Sequence, residues 1–123
     1  METLADRRRR FREQMNRREA MIVPGAGNAL TARVIADRQF EAVYVTGAGI
    51  ANTHLGTPDI GLVTLTELAA TVSTIAEICQ LPLVVDIDTG FGNAINTRRT
   101  VRLIERAGGF AMQIEDQVFL IIY

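Results

Sequence analysis

Short apolar runs alternate with amphipathic stretches along most of the chain. The apolar runs cover residues 20–23, 42–45, 83–87 and 110–115. Residues 28–38, 64–79 and 96–107 between them read as helices, with apolar side chains at three- and four-residue spacing. Strands that read as continuous apolar runs are typical of parallel sheets that are buried on both faces. The pattern therefore predicts four parallel strands that alternate with helices.

The helix boundaries carry recognisable signals. Thr64 and Glu67 have the spacing of a capping box. Asn96 is the predicted cap of the last helix, and Gly108-Gly109 is its predicted stop. Residues 48–63 carry no clear periodicity and are predicted to form a long loop.

A further helix is predicted at residues 4–19, before the first strand. Leu4, Arg8, Phe11 and Met15 share one face of it, and most other positions are charged. The arginines at 7–10 suit either an anion-binding patch or a solvated face that pairs with the helix's own acids. The interspersed acids favour the solvated face.

Two α/β architectures fit this order of elements: a doubly wound sheet, and a (β/α)8 barrel, which needs about 250 residues. Polar or glycine-rich residues follow the carboxyl end of every predicted strand, where both folds place their active sites. The glycine fingerprint of dinucleotide-binding folds fails at its last position in both 25–30 and 47–52. A Rossmann fold is therefore not supported.

Composition narrows the chemistry. The 123 residues are 48% hydrophobic with a formal net charge of −1, which suits one domain and gives no argument for nucleic-acid or membrane partners. One cysteine, Cys79, suits a cytoplasmic location. The absence of lysine excludes Schiff-base catalysis and a Walker phosphate loop, and one His with one Cys cannot build a zinc site. Carboxylates remain, and these hold hard cations such as Mg²⁺ or Mn²⁺.

The acids at two strand ends form the main candidate site. Asp86 and Asp88 end the third predicted strand two residues apart, so strand alternation would direct both carboxylates to one side. Two buried anions this close repel unless one is protonated or a cation lies between them. Glu115 ends the next strand at about the same height. Solvated turn acids are the alternative, but the glycine-rich segment at 89–93 and the second acidic strand end favour a metal site.

Other candidates are individually weaker. The segment Tyr44-Val45-Thr46-Gly47-Ala48 ends the second strand, and amide groups after a glycine can bind a carboxylate. Asp59 lies in the long loop, where an acid also suits a simple turn. His54 is interpreted as a surface residue, and Cys79 as a small core residue.

Four segments together resemble the isocitrate lyase/phosphoenolpyruvate mutase superfamily, and most nearly its branch of methylisocitrate lyases, dimethylmalate lyases and oxaloacetate decarboxylases. They are Tyr44-Val45-Thr46-Gly47, 56–62 (GTPDIGL), 86–93 (DIDTGFGN) and 114–117 (IEDQ). The resemblance covers about residues 5–119. It implies that residues 1–123 form a single incomplete domain, the N-terminal half of a (β/α)8 TIM barrel.

The resemblance also implies a site and a reaction. Small 2-oxo or 2-hydroxy carboxylic acids would lose a C–C bond through an enolate that Mg²⁺ stabilises. Full-length relatives are expected to be homo-oligomers. The family more often has Ser at position 46. The implied roles are metal binding by Asp86 and Asp88, metal contact through water by Glu115, substrate binding by Tyr44, Thr46, Gly47 and Ala48, and catalysis by Asp59 and Glu115.

The chain departs from the family pattern at its end. Family members continue with Pro, two basic residues and Cys-Gly-His, and that Cys transfers a proton in the lyases. Here Val118-Phe119 is followed by Leu120-Ile121-Ile122-Tyr123. We therefore expect this polypeptide alone to have little or no lyase activity. The alternatives are an inactive fragment that associates with other chains, a phosphonate-forming mutase, and a small flavodoxin-like binding module.

Overall fold

Four short parallel strands form a sheet whose order follows the chain. They are β1 (Gly25–Ala26), β2 (Val43–Val45), β3 (Leu83–Asp86) and β4 (Ala111–Gln113). The computed structural model describes residues 2–117. The departure from the family pattern at 118–123 lies outside the described residues.

Helices precede and connect the strands. They are α1 (Leu4–Asn16), α2 (Ala29–Asp37), α3 (Gly47–Ile50), a π-helical segment (Ala51–Leu55), α4 (Leu65–Ile78) and α5 (Ala94–Ala107). The predicted capping box at Thr64 and Glu67 is confirmed. In residues 2–117, no helix combines the length and the apolar character needed to cross a bilayer.

The predicted cap of α5 was misplaced by three residues. The Asn93 side chain accepts from the amides of Ile95 and Asn96 at 3.0 Å each, so Asn93 is the cap. Asn96 supplies the other half of the box, because its side chain accepts from the Asn93 amide. Each asparagine side chain accepts from the backbone amide of the other, so either one can be taken for the cap from the sequence alone.

Helices cover one face of the sheet. Val43, Val45, Leu83 and Val85 are buried against side chains of α2, α4 and α5. The intervening positions on β2 and β3 are only partly buried, so the expectation of two buried faces is wrong for the described residues. Sequential strand order with a layer of helices on one face is the pattern of a (β/α)8 barrel, whereas a doubly wound sheet has helices on both faces. The predicted half barrel is confirmed.

The first strand lies later than predicted. The register places Gly25 opposite Tyr44, so residues 20–23 extend past the start of β2. Their partners would be residues 39–42, where Gln39 has a left-handed φ of 61° and the chain turns. Ile22 is accordingly 74% exposed. An apolar run without a facing strand has no ladder to join.

Helix α1 lies across the amino ends of β3 and β4. The Arg8 guanidinium donates to the backbone oxygens of Glu105 (2.9 Å) and Gly109 (3.1 Å). Phe11 packs edge-on against Phe110, with 6.3 Å between ring centroids. The predicted pairing with acids of the same segment holds for Arg9 with Asp6 and for Arg10 with Glu2. Arg7 and Arg8 instead donate to Gln80 and Glu105 in the rest of the domain. The helix therefore closes one end of the half barrel.

We expect Phe11→Ala to lower the free energy of unfolding by about 3 kcal/mol, because a ring that is only 3% exposed leaves a cavity. Met15→Ala on the same helix is the control, since Met15 is 52% exposed and its change should stay below about 0.5 kcal/mol. Urea denaturation followed by circular dichroism measures both. Equal effects would contradict the packing of α1.

Candidate active site

The predicted site residues lie at the carboxyl edge of the sheet. Asp86 is the last residue of β3 and pairs with Gln113, the last residue of β4. Thr46 directly follows β2, and Glu115 follows β4 by two residues. Because the strands are parallel, residues that are far apart in sequence meet at this edge.

Asp86 connects the two central strand ends. Its Oδ2 accepts from the Gly47 amide at 3.4 Å, and its Oδ1 accepts from the Asp88 amide at 3.0 Å. A β-carbon on Gly47 would lie 3.4 Å from Asp86 Oδ2, which is ordinary contact. The Gly47 amide, predicted to bind the substrate carboxylate, is therefore directed toward a carboxylate of the protein itself.

Asp88 lies beyond the end of the strand. β3 stops at Asp86, and Asp88 has a left-handed φ of 47°. The strand alternation that was expected to align the two carboxylates therefore does not reach Asp88. The Asp88 backbone oxygen accepts from the Glu115 amide at 2.8 Å, which ties this loop to the end of β4. Such a conformation costs about 1–3 kcal/mol and persists only where its surroundings enforce it.

The four predicted acids act on one another electrostatically. Burial raises the pKa of the Asp88 carboxyl, and the charges of Asp86, Asp59 and Glu115 raise it further. All four therefore lie close enough to shape one negative potential. Within residues 2–117, however, no three acids, histidines or cysteines lie close enough together to hold a metal ion. The donor chemistry fits a hard cation, whereas the side chains do not form a closed coordination shell.

Tyr44 lies beside this cluster as a neutral phenol. Burial, followed by the nearby carboxylate of Asp86, raises its pKa to about 12. Its hydroxyl donates to the side-chain oxygen of Gln113 on β4. Sequence reasoning missed Gln113, although Gln113 lies two residues before Glu115, a spacing that places strand residues on one face.

The segment after β2 is helical where a loop was predicted. The Thr46 side chain accepts from the Gly49 amide at 3.3 Å and caps α3. A β-carbon on Gly27 would lie 2.4 Å from the Gly49 backbone carbon. Glycine at both positions thus lets the turn after β1 contact α3 directly, an approach that periodicity does not reveal. Thr46, Gly47 and Ala48 form the start of this helix, at the rim of the site.

The loop after β3 contains four residues with left-handed φ: Asp88, Gly90 (98°), Phe91 (59°) and Gly92 (139°). A β-carbon on Gly90 would lie 2.3 Å from the Thr97 hydroxyl on α5. Glycine is therefore required at position 90 by conformation and by space.

Three lesser candidates are placed as follows. Asp59 is exposed in the segment after the π-helix. His54 is also exposed, with Nε2 3.9 Å from a Glu67 carboxylate oxygen. Cys79 is buried in the core and 4% exposed. The interpretations of His54 as a surface residue and Cys79 as a core residue are confirmed.

Comparison with known proteins assigns the family. The family model described as phosphoenolpyruvate phosphomutase matches residues 11–119. The chain belongs to the phosphoenolpyruvate phosphomutase family. The predicted superfamily is thereby confirmed.

The relatives of this phosphomutase-family chain include lyases. A 2,3-dimethylmalate lyase of Eubacterium barkeri is 48% identical over 109 residues, covering 89% of this chain and 38% of the lyase. A 2-methylisocitrate lyase of Aeropyrum pernix is 49% identical over 108 residues, covering 88% and 35%. The chain thus spans little more than a third of the length of these relatives.

A solved structure extends the likeness to the fold of this family member. The crystal structure of a phosphonopyruvate hydrolase in complex with oxalate and Mg²⁺ matches with a TM-score of 0.86 and 27% identity. The match covers 92% of this chain and 40% of the hydrolase.

Gly90→Ala is expected to lower the free energy of unfolding by about 3 kcal/mol, since the new methyl group meets Thr97 and the left-handed backbone adds strain. Gly56→Ala is the matched control, with φ +66° and no atom within 4 Å of the added carbon, and should cost about 1 kcal/mol. Thermal unfolding of both variants measures the difference. A Gly90→Ala chain as stable as Gly56→Ala would refute the close contact between position 90 and Thr97.

Proposed function

We propose that this chain carries the metal-binding half of a Mg²⁺-dependent carbon–carbon lyase or decarboxylase that acts on small 2-oxo or 2-hydroxy carboxylic acids. The observation that carries the proposal is the set of acids at one sheet edge, Asp86, Asp88 and Glu115, together with Asp59 from the loop after the π-helix, since the charges of the other three all act on Asp88. The lyase names of the 48% and 49% identical relatives support the reaction class. The hydrolase crystallised with Mg²⁺ and oxalate supports the ligands.

Asp86 and Asp88 would hold the cation, and Glu115 would reach it through a water molecule. Oxygen ligands of this kind suit Mg²⁺, and Mn²⁺ can replace it. A bound divalent ion would supply charge stabilisation for an oxygen of the substrate that becomes negative as the C–C bond breaks. Asp86 already accepts from two amides, so its carboxylate is fixed in orientation before any ligand binds.

The other site residues would orient the substrate and handle protons. Tyr44 stays protonated at neutral pH, because its pKa is raised to about 12, and its hydroxyl would donate to a substrate oxygen in place of Gln113. At the start of α3, the Thr46 hydroxyl and the Ala48 amide would bind the substrate carboxylate, and the Gly47 amide would join them only by leaving Asp86. Asp59 and Glu115 would be the acids near the bond that breaks. Asp59 is exposed and free to approach a substrate from the solvent side.

A phosphonate-forming mutase is the second candidate, and the description of the matching family model favours it. The lyase would break a C–C bond, whereas the mutase would break an O–P bond and form a C–P bond, and a bound divalent ion would supply the same charge stabilisation in both. Because the chain spans 38% and 35% of the two lyases, we propose the activity for a protein of their length. The 123-residue chain alone is expected to bind metal with little or no turnover.

The 123-residue chain is expected to bind Mn²⁺, and Asp88→Asn should weaken the binding at least about 10-fold, because one of the carboxylates that would hold the ion loses its charge. Electron paramagnetic resonance of free Mn²⁺ during titration gives the dissociation constant. Asp37→Asn, an exposed acid on α2, is the control and should bind as the wild type does. Equal affinities for the two variants, or a wild type without uptake, would refute the metal site.

Oxalate is expected to bind this chain only when Mg²⁺ is present, since oxalate oxygens would themselves be ligands of the bound metal. Tyr44→Phe should weaken oxalate about 5-fold through the loss of one hydrogen bond. Calorimetric titration with and without Mg²⁺ measures both effects, and acetate serves as the control ligand. Oxalate binding that is independent of Mg²⁺ would count against the proposal.

A further inference from the structure

Thr100 is the only polar side chain that is fully buried in the part of the chain that the structure describes. Its residue exposure is 0%, and its hydroxyl donates to the backbone oxygen of Gly90 at 2.9 Å. Thr100 lies on α5, and Gly90 lies in the loop that follows β3, two residues after Asp88. One hydrogen bond thus connects a buried residue of α5 to the loop of the candidate site.

Gly90 is buried, and two hydrogen bonds hold its backbone. Its amide donates to the Ile87 oxygen at 2.8 Å, while its own oxygen is held by Thr100. Two residues earlier, the Asp88 oxygen accepts from the Glu115 amide at 2.8 Å. The loop is therefore held from the β4 side at Asp88 and from the α5 side at Gly90. These two attachments flank residues with left-handed φ between Asp86 and Phe91.

We infer that Thr100 is a positioning residue of the candidate site: its buried hydroxyl sets the path of the 88–92 loop and thereby the place of the Asp88 carboxylate relative to Asp86. Loss of the hydroxyl would leave a buried carbonyl oxygen without a partner, and the loop would shift to let water reach it. The metal-binding part of this inference rests on the proposed function. The effect on the loop does not.

The first measurement uses the metal-free 123-residue chain. Thr100→Val keeps the shape of the side chain and removes the donor, whereas Thr100→Ser keeps the donor. We expect amide hydrogen exchange at Gly90 to lose at least about 10-fold more protection in Thr100→Val than the core amide of Val43, which donates to the Pro82 oxygen at 3.0 Å. Thr100→Ser should retain the wild-type ratio. Equal losses at Gly90 and Val43 would assign Thr100 a purely structural role and overturn the inference.

The second measurement is the Mn²⁺ affinity of the same variants. Thr100→Val should bind about 10-fold more weakly than the wild type, and Thr100→Ser should restore the binding. Thr74→Val is the matched control, because the Thr74 hydroxyl donates to the Ala70 oxygen on the exposed face of α4, far from the loop in sequence. Unchanged affinity in Thr100→Val would overturn the role in metal placement.

The two proposals fail in different ways. A wild-type chain that takes up no Mn²⁺ refutes the proposed function, and the exchange ratio at Gly90 still decides whether Thr100 sets the loop. If Thr100→Val does not fold, Thr100→Ala removes the same donor with a smaller side chain and is judged by the same two measurements.

Discussion

Parallel strands joined by helical crossovers must all end at the same edge of the sheet. Because the strand order follows the chain and such crossovers are right-handed, the helices of this chain also lie on one side. The order of strands in the sheet follows the chain, and buried side chains of α2, α4 and α5 pack against one face. Asp86 and Glu115 are 29 positions apart in number, yet the pairing of β3 with β4 brings their segments together. The site is thus a consequence of the connectivity, and no single segment contains it.

Concentrated negative charge and unusual backbone conformation both oppose folding at this edge. Burial and three neighbouring acids raise the pKa of Asp88, which means that its ionised form is disfavoured there. The same residue and Phe91 are non-glycine residues with left-handed φ. Backbone hydrogen bonds from Glu115 and the hydroxyl of Thr100 hold this arrangement. A site that costs stability in this way is typical of functional regions, where the surrounding core must enforce the geometry.

Sequence patterns predicted helices α1, α2, α4 and α5, the second and third strands and the capping box at Thr64, because these depend on local spacing. They failed where a contact between distant segments decides the outcome. Residues 20–23 are apolar but have no facing strand, and the glycine contact between Gly27 and Gly49 accompanies a helix where a loop was expected. The side-chain directions at Asp88 could not be predicted either, since the strand stops two residues earlier. Gln113 and Thr100 were missed because each acts through a partner on another element.

Side chains that alternate along β2 and β3 place the core residues on one face of the sheet and the candidate site residues on the other. One set of side chains points toward the helices: Val43, Val45, Leu83 and Val85. Tyr44 and Asp86 belong to the alternate set and are partly exposed on the face that the helices leave free. Because side chains alternate with a period of two, a slip of one residue would exchange the two sets, burying a carboxylate among valines and exposing the core. The free energy of burying those apolar residues therefore also selects the register that presents Tyr44 and Asp86 together. The register of β2 with β3 therefore determines both the packing of the core and the placement of the candidate site residues.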